Sequence, residues 1–218
     1  MDSDVALPAL GAIGNSPISF PLTKEQIDAF LVVVAKAHVY SAAGAAYVLS
    51  RCEQNDKAPF VQPIVDRFIE EIERPVDAGG GYGSYLSPRV CVLWQFPRCF
   101  GELGDKGIAP LKAALEKPTG AEMRKWLTLA LGMCGEPSVA DTLKDWVKND
   151  PDRYFRVVAV RAYARSAGEA AVPLLKELLS DTFESEYYHF PDGGPVYPIR
   201  FTARGELVRL GHPPEKDD

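Results

Sequence analysis

The side chains suited to chemistry are few, and the densest group lies in FESEYYHFPDGGPVYP, residues 183–198, which holds His189 among Glu184, Glu186 and Asp192. An imidazole with carboxylates can ligate a divalent metal, but zinc sites draw several His or Cys ligands at fixed spacing. With one His and no second at i+4, no metal site is expected. The same stretch carries five aromatics: Phe183, Tyr187, Tyr188, Phe190 and Tyr197. Such rings give large contact area at low conformational-entropy cost, so Tyr187, Tyr188, His189, Phe190 and Asp192 are read as a candidate partner-binding loop. The competing reading folds the rings back over a groove between neighbouring units. A second unusual stretch is RPVDAGGGYGSYLSP, residues 74–88. Its glycines suggest a phosphate cradle, but no Gly-Lys-Ser/Thr follows and no strand pattern precedes it. It reads as a flexible connection, with Tyr82 and Tyr85 as further candidates for partner contact.

No nucleophile constellation emerges. There is no G-x-S-x-G, and no Cys stands beside an evident His. His38 sits in an apolar helical pattern and reads as a core or boundary residue, while His212 lies in the tail, 212–218. Cys52, Cys91, Cys99 and Cys134 fall in or beside apolar helical segments without C-x-x-C spacing, which points to buried reduced thiols. No cofactor is expected. The formal net charge of −6 over 218 residues opposes a main role in neutralising phosphates or docking on an anionic membrane, both of which need a basic face. Nucleic acid is therefore not an expected partner. The N-terminal segment, 1–22, opens with two acids rather than a basic leader, and no run of about eighteen apolar residues follows. The expectation is a cytoplasmic chain with no membrane partner.

The elements that would position these residues are helices in a repeating layout. Met123, Trp126, Leu127, Ala130, Leu131 and Cys134 share one helical face that Gly135 can end. Val139, Leu143, Trp146 and Val147 form the stripe of a second helix. Phe155, Val158, Ala159, Ala162, Tyr163 and Ser166 repeat the first stripe at an offset of 32, and Ala171, Leu175, Leu178 and Leu179 the second. Val92, Phe96, Cys99, Phe100 and Leu103 fill the same columns 31 residues earlier; Ile199, Ala203, Leu207 and Leu210 do so 44 residues after Phe155 and its stripe, with 183–194 as the insertion. A helical hairpin recurring every 30 to 35 residues is the signature of an α-solenoid, in which each unit buries its face on the next. Upstream, Thr23 with Gln26 has the spacing of a capping box, and Leu22 with Ile27 that of a hydrophobic staple. Val61, Ile64, Val65, Phe68 and Ile72 form one more stripe. Residues 23–74 are read as a divergent N-terminal cap, 90–211 as recognisable repeats, and 23–211 as a single all-α superhelix. Pro97 should bend its helix.

Three features resemble the HEAT repeat family, in its short variety named after phycobilisome-lyase repeats. They are an apolar residue followed by Arg (Met123-Arg124, Phe155-Arg156, Ile199-Arg200), turns such as ALGMCGEP, FGELGDKG and LVRLG, and second helices opening AVPLLKELLSD or IAPLKAAL. The resemblance implies that Arg124, Arg156 and Arg200 tie one repeat to the next. It also implies a curved scaffold that binds a protein or peptide on a concave face of second helices, helped by the aromatic loop. The charge pattern agrees with a structural role for the arginines. Residues 153–211 carry eight Lys/Arg against seven Asp/Glu, and Lys144-Asp145 aligns with Lys176-Glu177, so no phosphate track forms. HEAT-like enzymes give the alternative: a bilin lyase, needing a groove for a tetrapyrrole, or an alkylpurine DNA glycosylase, needing a basic cleft with exposed aromatics.

Overall fold

The computed structural model describes residues 21–53, 57–74, 93, 95–117, 119–185 and 195–214. Within them the chain is all helix and turn apart from a short pairing in which Ser185 N–H donates to Val196 O at 2.8 Å. Helices α1 (Lys24–Lys36), α2 (Val39–Arg51) and α3 (Ala58–Glu73) open the fold. Hairpins then follow: α4 (Gln95–Leu103) with α5 (Ile108–Leu115), α6 (Ala121–Met133) with α7 (Ala140–Asn149), and α8 (Arg153–Ala167) with α9 (Val172–Glu177). The last helix, α10 (Pro198–Arg209), has no described partner of its own.

The start of α1 follows from its residues. Thr23 Oγ1 accepts from Gln26 N–H at 3.3 Å while Thr23 N–H donates to Gln26 Oε1 at 2.9 Å, so two donors that the first turn leaves free are satisfied reciprocally. The hairpin turns are equally local in origin. After α6, Gly135 takes φ +88° and Glu136 N–H reaches back to Leu131 O at 3.0 Å; after α10, Gly211 takes φ +83° and His212 N–H reaches Leu207 O at 2.9 Å. These are the same columns of the repeat, closed by the same left-handed glycine, which spares the roughly 1–2 kcal/mol that a Cβ costs in that conformation.

Packing turns the stripes into a single core. Met123, Trp126, Leu127, Ala130, Leu131 and Cys134 are all buried, as are Phe155, Ala159, Ala162, Tyr163 and Ser166, and Ile199, Ala203 and Leu207. First helices stack on first helices: α2 on α4, α4 on α6, α6 on α8, α8 on α10. The second helices α5, α7 and α9 each lie against first helices rather than extensively against one another. Close approach along the first-helix row depends on small residues. A Cβ on Gly132 would come within 2.3 Å of Leu143 Cδ1 and 3.2 Å of Ala162 O. At the N-terminal end, Phe68 meets Phe96 and Phe100 with ring centroids 5.5 and 5.1 Å apart, joining α3 to α4.

The N-terminal third carries a device that the hydrophobic pattern did not announce. Arg67 of α3 is buried, donates to the carbonyls of Val34 (3.0 Å), Ala35 (3.0 Å) and Ala37 (2.8 Å), and pairs with buried Glu71 at 2.6 Å. It satisfies the carbonyls that the end of α1 leaves without partners. Two expectations change here. His38 is not inside a helix: it is exposed at the break between α1 and α2, stacked on Tyr40 at 5.6 Å. Val158 is half-exposed rather than core.

Candidate functional site

An apolar groove of about 310 Å³ opens on the first-helix side of the stack. Pro97 and Arg98 of α4 form one wall, and Met133 at the end of α6 lies at its floor. Tyr154, Val157, Val158 and Arg161 of α8 run along it, and Val196, Pro198, Phe201 and Thr202 at the start of α10 close the far wall. Arg165 of α8 ties this side together across two units, donating to Gly101 O of α4 at 2.9 Å. The groove is lined by first helices and the residues leading into α10, with no second-helix residue in its lining.

The charged side chains lining the groove are Arg98 and Arg161, in a chain whose net charge is −6. Burial holds the Arg161 guanidinium below its usual pKa; Glu206 opposes that shift, and the like charges of Arg98 and Arg165 add to it. Glu206 is itself buried and shared, 3.5 Å from Arg161 Nε and 2.6 Å from Arg209 Nε. Cation outweighs anion here. Such a surface suits an anionic group carried on an apolar body.

The aromatic stretch divides. Phe183 is buried edge-on against Tyr154, centroids 5.1 Å apart, beneath the Arg153 guanidinium at 5.6 Å. Tyr197 is half-buried, with the Arg200 guanidinium 4.1 Å above its ring. Tyr187, Tyr188, His189, Phe190 and Asp192 lie outside the described residues, as do Tyr82 and Tyr85. Of the arginine column, Arg156 of α8 donates from Nε to Val147 O of α7 at 2.8 Å and lies 3.4 Å from Asp181 after α9. Arg200 of α10 donates to Asp181 O. Arg124 is exposed on α6. Sequence reasoning missed Arg98, Met133, Val157, Arg161 and Phe201 as neighbours. The one available signal was Val157 beside Val158, two apolar residues where the stripe needs one.

The remaining chemistry is quiet. Burial pushes the Cys134 thiol up to about 12 and raises Cys99 further, and Cys52 is buried as well. Thiols held protonated in this way are poor nucleophiles. Among the described residues no three His, Cys, Asp or Glu side chains gather as a metal-ligand set. Among the same residues no helix is long and apolar enough to cross a membrane.

The helical hairpins, the glycine turns and the stacked first helices coincide with a sequence match to the family model for HEAT repeats over residues 108–186. Residues 108–186 are HEAT repeats. That span begins at α5 and runs past α9, so the groove's α8 wall and Met133 lie inside it, while α4 and α10 extend the same packing beyond both ends. HEAT repeats commonly mediate protein interactions, which makes a protein partner the expected kind. Neither a curated protein nor a solved structure matches the chain.

Proposed function

We propose that the protein is a non-catalytic interaction module of cytoplasmic location that grips a protein or peptide segment in the first-helix groove, with the aromatic stretch Tyr187 to Asp192 as an additional contact. One observation carries this reading: an apolar groove bounded by four first helices whose lining charges, Arg98 and Arg161, are both cationic. An enclosed polar pocket with convergent acids and bases would instead favour an enzyme. The HEAT architecture adds support, since rigid stacked helices present an extended surface without needing to move.

The test is affinity capture from the native host with three baits: the intact chain, Val158→Asp, and a chain whose residues 186–194 are replaced by a Gly-Ser link. Val158 is half-buried on the groove wall, at the edge of the core, so the charge enters the site. A specific partner held by the intact chain and lost from Val158→Asp, with unchanged circular dichroism, is the expected outcome. Loss with the linker variant as well would assign the loop to the same contact. Capture of nothing by the intact chain would sink the proposal.

A further inference from the structure

The two cations of the groove belong to a larger cluster. Arg98 of α4 lies over the ring of Tyr47 in α2, 5.9 Å from its centroid, and Arg51 of α2 lies over the same ring at 5.5 Å. Arg161 of α8 is close enough to Arg98 and Arg165 for their like charges to act on its guanidinium. One turn along α8, Arg165 donates to Gly101 O at 2.9 Å and leaves its buried Nε without a partner. Arg209 of α10 donates to Ala164 O at 3.1 Å, between the two α8 arginines in the chain.

Neutralisation of this cluster falls short. The carboxylate set against it is that of Glu206, 3.5 Å from Arg161 Nε and 2.6 Å from Arg209 Nε. Arg98 and Arg165 form no ion pair among the described residues; their contacts are the Tyr47 ring and the Gly101 carbonyl. Like charges at part-buried positions repel one another through a medium that screens them less than water does, so an arriving acid relieves the free chain of a surplus. That surplus is framed by apolar surface. Arg98 and Arg161 stand on two walls of the groove, with Val157, Val158 and Phe201 beside them. Nucleic acid fits such ground poorly, because a sugar–phosphate backbone needs a continuous cationic track and the chain as a whole carries a net charge of −6.

We infer that the segment gripped by the groove is an acidic apolar peptide: its Asp or Glu carboxylates pair with Arg98 and Arg161, and the apolar residues beside those acids cover Val158 and Phe201. This rests on the reading of the protein as an interaction module and adds the chemistry of what it grips. Selectivity follows from the same contacts, since a neutral or basic segment would bury the guanidiniums without a partner.

The probes are random peptides of about twelve residues, displayed on phage and selected on the full chain. The selected sequences should be enriched in Asp or Glu next to Leu, Ile or Phe. One of them, synthesised with a fluorescein label, should bind in anisotropy about tenfold more tightly than its Asn/Gln twin. Arg98→Ala should remove most of that difference, and Arg98→Glu should favour a Lys twin over the acidic peptide. Arg98 is exposed, so folding should survive both changes, which circular dichroism verifies. Equal binding of the acidic peptide and its amide twin would overturn the inference, as would acidic binding that ignores Arg98→Ala. Displacement of the peptide by an equal concentration of single-stranded DNA would also overturn it, in favour of nucleic acid. If the selected peptides show no enrichment in acids yet are lost with Val158→Asp, the groove reading stands and this one falls; if no peptide is selected, both fall.

Discussion

Arg67 shows how much one buried side chain can organise. Its guanidinium holds three carbonyls of the α1 terminus and the carboxylate of Glu71, so Arg67→Met would leave those acceptors buried with too few donors. The expected loss is about 3 kcal/mol, measured by urea unfolding with a probe on α1. Gly132 is the steric counterpart. Gly132→Ala should destabilise by about 1–3 kcal/mol, because the new methyl meets Leu143 and the Ala162 carbonyl and neither element can yield without parting α6 from α8. Unfolding midpoints of the two variants, compared with Gly120→Ala, where the Cβ would meet nothing, would test this. Glu136 gives a residue-scale pH dependence. Lys112, 2.7 Å away, and Ser138 hold its carboxyl at about 2 against an ordinary value of 4.5. A depressed carboxylate contributes stability above pH 4.5 that is lost as pH falls from 4.5 towards 2. Glu136→Gln should therefore flatten part of the acid limb of stability against pH, and an unchanged limb would show that the pair contributes nothing.

At the scale of the element, the helices were legible wherever the pattern was local. The capping residues of α1, the glycines ending α6 and α10, and the buried stripes of α6 and α8 could all be read from spacing, because caps and amphipathic faces depend on residues three or four positions apart. What spacing concealed was the second covered face. A first helix in this stack is buried on its hairpin partner and on both first-helix neighbours, so Val157, Val160 and Gly132 are buried off the main stripe. The thiols follow from this double burial. With Cys91 changed to Ser, iodoacetamide should leave Cys52, Cys99 and Cys134 largely unmodified in the native chain and label them in urea, since each is buried and Cys99 and Cys134 are held protonated. Rapid labelling of all three in the native chain would mean that the stack opens far more readily than this packing implies.

On the scale of the whole molecule, the repeat itself was fixed by the sequence before any coordinates. Columns recurring at offsets of 31, 32 and 44 residues leave few ways to bury so many apolar faces other than by stacking. Hence the all-α superhelix and its hairpin turns were already decided. The groove was not. Which side chains line it depends on contacts between distant units, such as Arg165 with Gly101 O, between residues 64 apart in the chain. Periodicity describes one helix's face and carries no term for the distance between helices two units apart. The groove of Arg98, Met133, Val158, Arg161 and Phe201 therefore became visible only once tertiary packing had brought those helices together.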